Sequence, residues 1–97
     1  MSIYCGVDPG TATTGYAFIE SSGRSGIRIV DYGVIETPAS ASQLIRLPMI
    51  AEDFSALLDQ YRPDACGMEK LFFATNRTTA LSVAESRGVL SYLLAIR

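Results

Sequence analysis

The chain contains no histidine, and that absence removes a large share of enzyme chemistry. Imidazole-ligated metal centres, imidazole general bases and Ser-His triads are excluded, so any catalysis must run on carboxylates, Lys, Tyr or Cys. Long apolar runs are also missing. No stretch approaches the length of a membrane span, and no basic N-terminal region leads into a long apolar segment. The expectation is therefore no signal peptide and a cytoplasmic address. Only two cysteines occur, Cys5 and Cys66. Both sit in apolar strand patterns, where a small buried thiol is expected over a disulfide. There is no linker, no low-complexity segment, and no C-cap glycine or turn signal after the last helical pattern. One domain over 1–97 is expected, C-terminally incomplete. Its 48% apolar composition places it among globular rather than disordered chains.

What is present is a repeated element. Ile3-Tyr4-Cys5-Gly6-Val7-Asp8 and Ala65-Cys66-Gly67-Met68-Glu69 each place Cys three positions, and Gly two positions, before an acid. Side chains on a strand alternate faces, so Asp8 shares a face with Gly6 and Glu69 with Gly67, while both cysteines point the other way. On parallel neighbouring strands the two acids would meet at the C-terminal ends beside side-chain-free glycines. Ionised carboxylates held together repel unless a cation intervenes or one pKa rises, and a hard divalent ion such as Mg²⁺ resolves the conflict. Such an ion polarises a phosphodiester and acidifies bound water. The bland alternatives are a turn-initiating Asp before Pro9 and a solvated strand-end Glu.

Ile3 to Asp8 reads as a strand, 9–15 as a Gly/Thr-rich turn, Tyr16 to Glu20 as a second strand and Ile27 to Thr37 as a third, joined as an antiparallel meander. Leu44, Leu47, Ile50, Phe54, Leu57, Leu58 and Tyr61 recur at helical spacing, with Pro48 reconciled if the regular helix starts there. Arg62-Pro63-Asp64 ends that helix and feeds a fourth strand, Ala65 to Glu69, parallel to the first. A second helix is expected from about Arg77, capped by Asn76 or Thr75, with Ala80, Leu81, Val83, Ala84, Val89, Leu90, Leu93 and Leu94 on its apolar positions.

Charge is distributed unevenly. Nine acids face four bases through Glu69; from Lys70 onward four bases face one acid. A basic segment that opens directly after the second candidate ligand fits a phosphate-facing edge, although solvated helices carry similar charge. The small-residue turn from Gly10 to Gly15 beside Asp8, which includes Thr13, lets a phosphate approach the backbone. Asn76 and Arg77 offer backbone N–H groups and a guanidinium, with capping as the plainer role for Asn76. Phe72 and Phe73 cannot easily both face one core. One could anchor the loop while the other stacks on or wedges between bases, or both could lie under the second helix. Gly88, mid-helix beside Arg87, suggests close approach of another helix, such as one from a second subunit.

Together, Gly6-Val7-Asp8-Pro9-Gly10 with Gly15-Tyr16, Asp31-Tyr32-Gly33-Val34-Ile35, Arg62-Pro63-Asp64, Met68 through Asn76, Thr79-Ala80-Leu81 and Ala84 through Val89 closely resemble the N-terminal part of the RuvC-type Holliday junction resolvases. These are bacterial endonucleases of the ribonuclease H-like superfamily. The resemblance implies an α/β fold: a ribonuclease H-like mixed sheet, strands 1–3 antiparallel and strand 4 parallel, with flanking helices and truncated before the fifth strand. It implies metal-assisted nicking of four-way DNA junctions by a homodimer, with Asp8 and Glu69 as the first two catalytic, metal-holding acids. Mg²⁺ is the expected ion, with Mn²⁺ as a substitute, and branch-migration proteins are a further implied partner class. Phe72 corresponds to the aromatic that probes the junction, and Lys70, Phe73, Asn76, Arg77 and Thr13 join it as candidate DNA contacts. The family's last two catalytic residues lie C-terminal to the matched part, so this piece by itself is expected to be inactive. Two other readings remain: an actin- or sugar-kinase-like phosphate-binding fold, which also uses Asp8-Pro9-Gly10-Thr11, and a non-catalytic junction-binding module.

Overall fold

In the first strand, β1 (Ser2–Pro9), Cys5, Val7 and Pro9 are buried while Tyr4, Gly6 and Asp8 are exposed. One face of the strand therefore serves the core and the other stays open. The computed structural model of the chain describes residues 2–10, 12–69 and 77–97, with the side chains at 25 and 77–79 left aside. Antiparallel β2 (Thr13–Ser21) flanks β1 on one side and parallel β4 (Ala65–Met68) on the other. β3 (Ile27–Glu36) pairs antiparallel with β2, giving the order β3-β2-β1-β4. This is the mixed sheet the sequence pattern predicts.

Two helices, α1 (Gln43–Tyr61) and α2 (Arg77–Ala95), cover one face of the sheet. The core joins Cys5, Val7, Phe18 and Ile35 from the strands to Ile50, Phe54, Leu58, Leu90 and Leu93 from the helices. Phe18 lies beside Tyr61, ring centroids 4.7 Å apart, and Tyr61 donates a 2.7 Å hydrogen bond to Asp31 Oδ2. Gly33 makes room for Tyr16: a Cβ there would lie 2.8 Å from the Tyr16 hydroxyl oxygen. The opposite face of the sheet carries Tyr4, Ile29, Tyr32 and Val34, all exposed.

The structure shifts several expected boundaries. β2 starts at Thr13 rather than Tyr16, which shortens the turn after β1. That turn is closed by a 2.9 Å hydrogen bond from the Gly10 N–H to the Thr13 carbonyl. A Cβ at Gly10 would come within 2.5 Å of the same oxygen, so the turn demands glycine. α1 starts at Gln43, with Pro48 inside it. The proline withholds an N–H from the Leu44 carbonyl, but both residues are exposed, so water can serve that oxygen. β4 ends at Met68, one residue before Glu69. Leu44 and Leu81, assigned to apolar helix faces from their spacing, are instead 85% and 66% exposed.

The α1–β4 connection works as a stop and a latch. Arg62 takes a left-handed conformation (φ 47°) and donates its N–H to the Leu58 carbonyl at 2.8 Å. Asp64 then grips β1 from both sides: its N–H donates to the Ile3 carbonyl at 2.7 Å, and its Oδ2 accepts from the Ile3 N–H at 2.9 Å. These bonds fix the register that positions the acids.

Candidate metal and nucleic-acid site

Register carries the geometry of the site. Across β1 and β4 the pairs are Cys5 with Cys66, Gly6 with Gly67 and Val7 with Met68. The ladder ends there: Asp8 is the next residue of β1 and Glu69 the first residue past β4, and both are exposed. On the other flank Asp8 pairs with Gly15 and Gly6 with Ala17. A Cβ added at Gly6 or Gly67 would meet nothing within 4 Å. The result is a shallow hollow of about 460 Å³, floored by Gly6, Gly67, Gly15 and Ala17 with Asp8 on its rim. Thr13 lies on this same face, two residues from Gly15 at the mouth of the β1–β2 turn.

Two hard oxygen donors beside a floor without bulky side chains suit a small divalent cation that keeps its remaining coordination positions open. Among the described residues no group of three or more possible ligands assembles. Other side chains hold the surroundings. Arg87 of α2 reaches the Glu69 carbonyl through Nε at 3.3 Å and fixes the backbone where β4 ends. Buried Arg46 donates to Thr37 Oγ1 at 3.2 Å, and Thr37 bonds the Ala12 carbonyl through its hydroxyl (3.2 Å) and its N–H (2.9 Å), bracing the turn next to Asp8. Neither support was visible in the sequence, because each joins residues far apart in the chain.

The C-terminal bases do not all gather at the site. Arg97 pairs with Asp59 at 3.2 Å, beside the start of β4 and away from its acid-bearing end. Lys70, Phe72, Phe73 and Asn76 lie outside the described residues, as does the side chain of Arg77.

An antiparallel three-strand meander and a crossover helix to a parallel fourth strand beside the first define a ribonuclease H-like fold. Residues 4–97 match the family model described as crossover junction endodeoxyribonuclease RuvC, and the chain belongs to that family. The Thermotoga maritima crossover junction endodeoxyribonuclease RuvC is 49% identical over 90 residues, 93% of this chain and 53% of the relative. Its counterpart from Syntrophomonas wolfei is 46% identical over 86 residues, 88% of this chain and 49% of the relative. The chain thus spans about half the length of the curated relatives it matches. Thermus thermophilus RuvC in complex with a Holliday junction substrate superposes with a TM-score of 0.85 at 22% identity, over 96% of this chain and 56% of that one. The Aquifex aeolicus Ppx/GppA phosphatase gives 0.58 at 11% identity, over 94% of this chain and 34% of that one. At those identities both likenesses concern the fold alone.

Proposed function

We propose that this chain forms the metal-holding front of an endodeoxyribonuclease that nicks four-way DNA junctions, working in the bacterial cytoplasm. The observation that carries this reading is the parallel register of Gly6 with Gly67, each two residues before an acid, in a chain of the RuvC family. Asp8 and Glu69 would hold Mg²⁺, or Mn²⁺ in its place. The bound ion would supply electrostatic stabilisation of the phosphodiester and a water acidic enough to act as nucleophile. Gly6 and Gly67 leave room for the DNA backbone to reach the carboxylates, and Arg87 keeps Glu69 in place. Thr13, Asn76, Arg77 and Lys70 are proposed phosphate contacts, Phe72 the aromatic probe at the branch point, and Phe73 a further DNA contact. Multi-metal phosphodiester sites use more acids than these two, so cleavage by this chain alone is not expected.

The working unit would be a homodimer, with branch-migration proteins as further partners. Leu81, Gly88 and Tyr92 form an exposed stripe on α2 at seven- and four-residue spacing. Gly88 has open space above it, so a partner helix could approach closely there.

The test measures Mn²⁺ binding and four-way junction binding side by side. Asp8→Asn and Glu69→Gln should abolish ion binding while junction affinity stays within about twofold. Parallel loss of both would assign the acids to phosphate contact or to folding instead. Thermal stabilisation by ATP without any effect of Mg²⁺ would favour the actin-like reading. Metal-independent junction binding in the longest natural product, with no cleavage, would favour a binding module.

A further inference from the structure

Beneath the two acids, on the helix-covered face of the sheet, the same strands carry a second matched pair that the proposed chemistry does not use. Cys5 and Cys66 are directly opposed in the β1–β4 register, and both are free thiols. Their surroundings differ. Cys5 is buried at 4% exposure in the core, whereas Cys66 is half-buried, points its thiol at the Gly67 carbonyl at 3.7 Å and lines a cleft of about 530 Å³ between the start of β4 and the ends of both helices. Arg62, Arg97, Asp59 and Asp64 share that cleft. Asp59 is paired with Arg97 and Asp64 is engaged by Ile3, while Arg62 forms no ion pair with a described residue. Its cation is free to favour an anion in the cleft.

We infer that Cys66 and Cys5 form a peroxide-responsive dithiol, Cys66 reacting first and Cys5 closing a disulfide between the two acid-bearing strands. The facing Cys5 side chain holds the Cys66 thiol below its ordinary pKa, and Cys66 together with burial drives Cys5 upward. This asymmetry matches an attacking and a resolving thiol. The deprotonated Cys66 sulfur attacks one oxygen of hydrogen peroxide. An S–O bond forms, the O–O bond breaks, and the departing hydroxide takes a proton to become water, leaving a sulfenic acid. The Cys5 sulfur then attacks Cys66 sulfur. The S–S bond forms as the S–O bond breaks, and the second hydroxide leaves as water with the proton from Cys5. Two thiols and one peroxide thus give one disulfide and two waters.

Neighbouring strands stand about 4.8 Å apart, inside the roughly 4.4–6.8 Å Cα window of disulfides. The preferred Cβ separation is shorter than that spacing, so closure draws β4 toward β1 three residues below Asp8 and Glu69. A bond formed against that resistance belongs to the labile, reversible kind.

The test treats the folded chain with hydrogen peroxide and follows free thiols and intact mass without reductant. Both thiols should disappear with a loss of about 2 Da, peptide mapping should join Cys5 to Cys66 within one chain, and dithiothreitol should restore both. In Cys5→Ser, Cys66 should stop at a dimedone-trappable sulfenic acid. In Cys66→Ser, Cys5 should react at least about tenfold more slowly than Cys66 does. Cys5→Ala is the substitute should the serine variant unfold, with circular dichroism as the check. Persistent thiols, a terminal sulfinic acid on Cys66 with Cys5 still reduced, disulfides only between chains, or Cys5 reacting as fast as Cys66 would each overturn the inference.

Discussion

The two faces of this sheet follow opposite rules. Toward the helices, Cys5, Val7, Phe18 and Ile35 are nearly sealed against Ile50, Phe54, Leu58, Leu90 and Leu93. Toward the other side, the neighbours of those same residues are Gly6, Asp8, Ala17 and Gly67, small or charged, with Tyr32 and Val34 exposed further out. Strand alternation makes this division possible, since each residue that builds the core hands the next to the open face. The difference teaches where stability and the proposed chemistry reside. They are separated by one Cα position along the same strands, so substitutions can address either one singly.

Phe54→Ala attacks the sealed face. Phe54 is fully buried at the centre of the cluster, and truncation should cost about 3–5 kcal/mol, the cost of a large buried cavity. Tyr32→Ala on the open face, where the side chain is 72% exposed, should stay within about 0.5 kcal/mol. Urea denaturation of both variants measures the contrast, and comparable losses would mean that the open face is packed in solution.

Gly67→Val addresses the open face without disturbing the sealed one. A Cβ at Gly67 meets nothing within 4 Å, and valine suits a strand better than glycine, so stability should hold or rise by up to about 1 kcal/mol. The added bulk stands on the open face, in the proposed path of the DNA backbone. Junction affinity should fall by at least about tenfold. Unchanged affinity would remove the glycine floor from the recognition surface.

The repeated strand-acid element was legible because its geometry is local: Gly two positions before each acid dictates a shared face, and the register of Gly6 with Gly67 agrees. The start of α1 was not legible. Pro48 is a strong local signal, but an exposed carbonyl at Leu44 neutralises its cost. Leu44 and Leu81 were misplaced for a related reason, since helical spacing identifies an apolar face without saying whether this chain covers it. The latch between Asp64 and Ile3 and the clamp from Arg87 to Glu69 were invisible because each depends on residues brought together only by the completed fold.

Arg87 links the two faces, because a helix on the sealed side holds the backbone of an acid on the open side. Arg87→Ala removes a hydrogen bond worth about 1 kcal/mol of stability. Its larger effect should fall on the site: Mn²⁺ affinity should drop roughly tenfold, as when a supporting partner behind a metal ligand is lost. Arg87→Lys should recover part of it. A stability loss with unchanged ion affinity would confine Arg87 to holding α2 in place.

The smallest effect is expected at Tyr61, whose phenol reaches from α1 to Asp31 on β3. The hydrogen bond to that carboxylate raises the Tyr61 pKa above its ordinary value near 10, with burial and the charge of Asp31 adding to the shift. A group whose folded pKa is raised binds its proton more tightly in the native state, so the associated stability is fully present below the unfolded pKa. It is then lost as pH climbs through the folded value. The wild-type chain should therefore melt slightly above Tyr61→Phe at neutral pH. That margin should close as the pH passes about 10. Because Tyr61→Phe keeps the ring against Phe18 and removes only the hydroxyl, a margin that persists unchanged into strong alkali would assign the contact to ring packing rather than to the bond with Asp31.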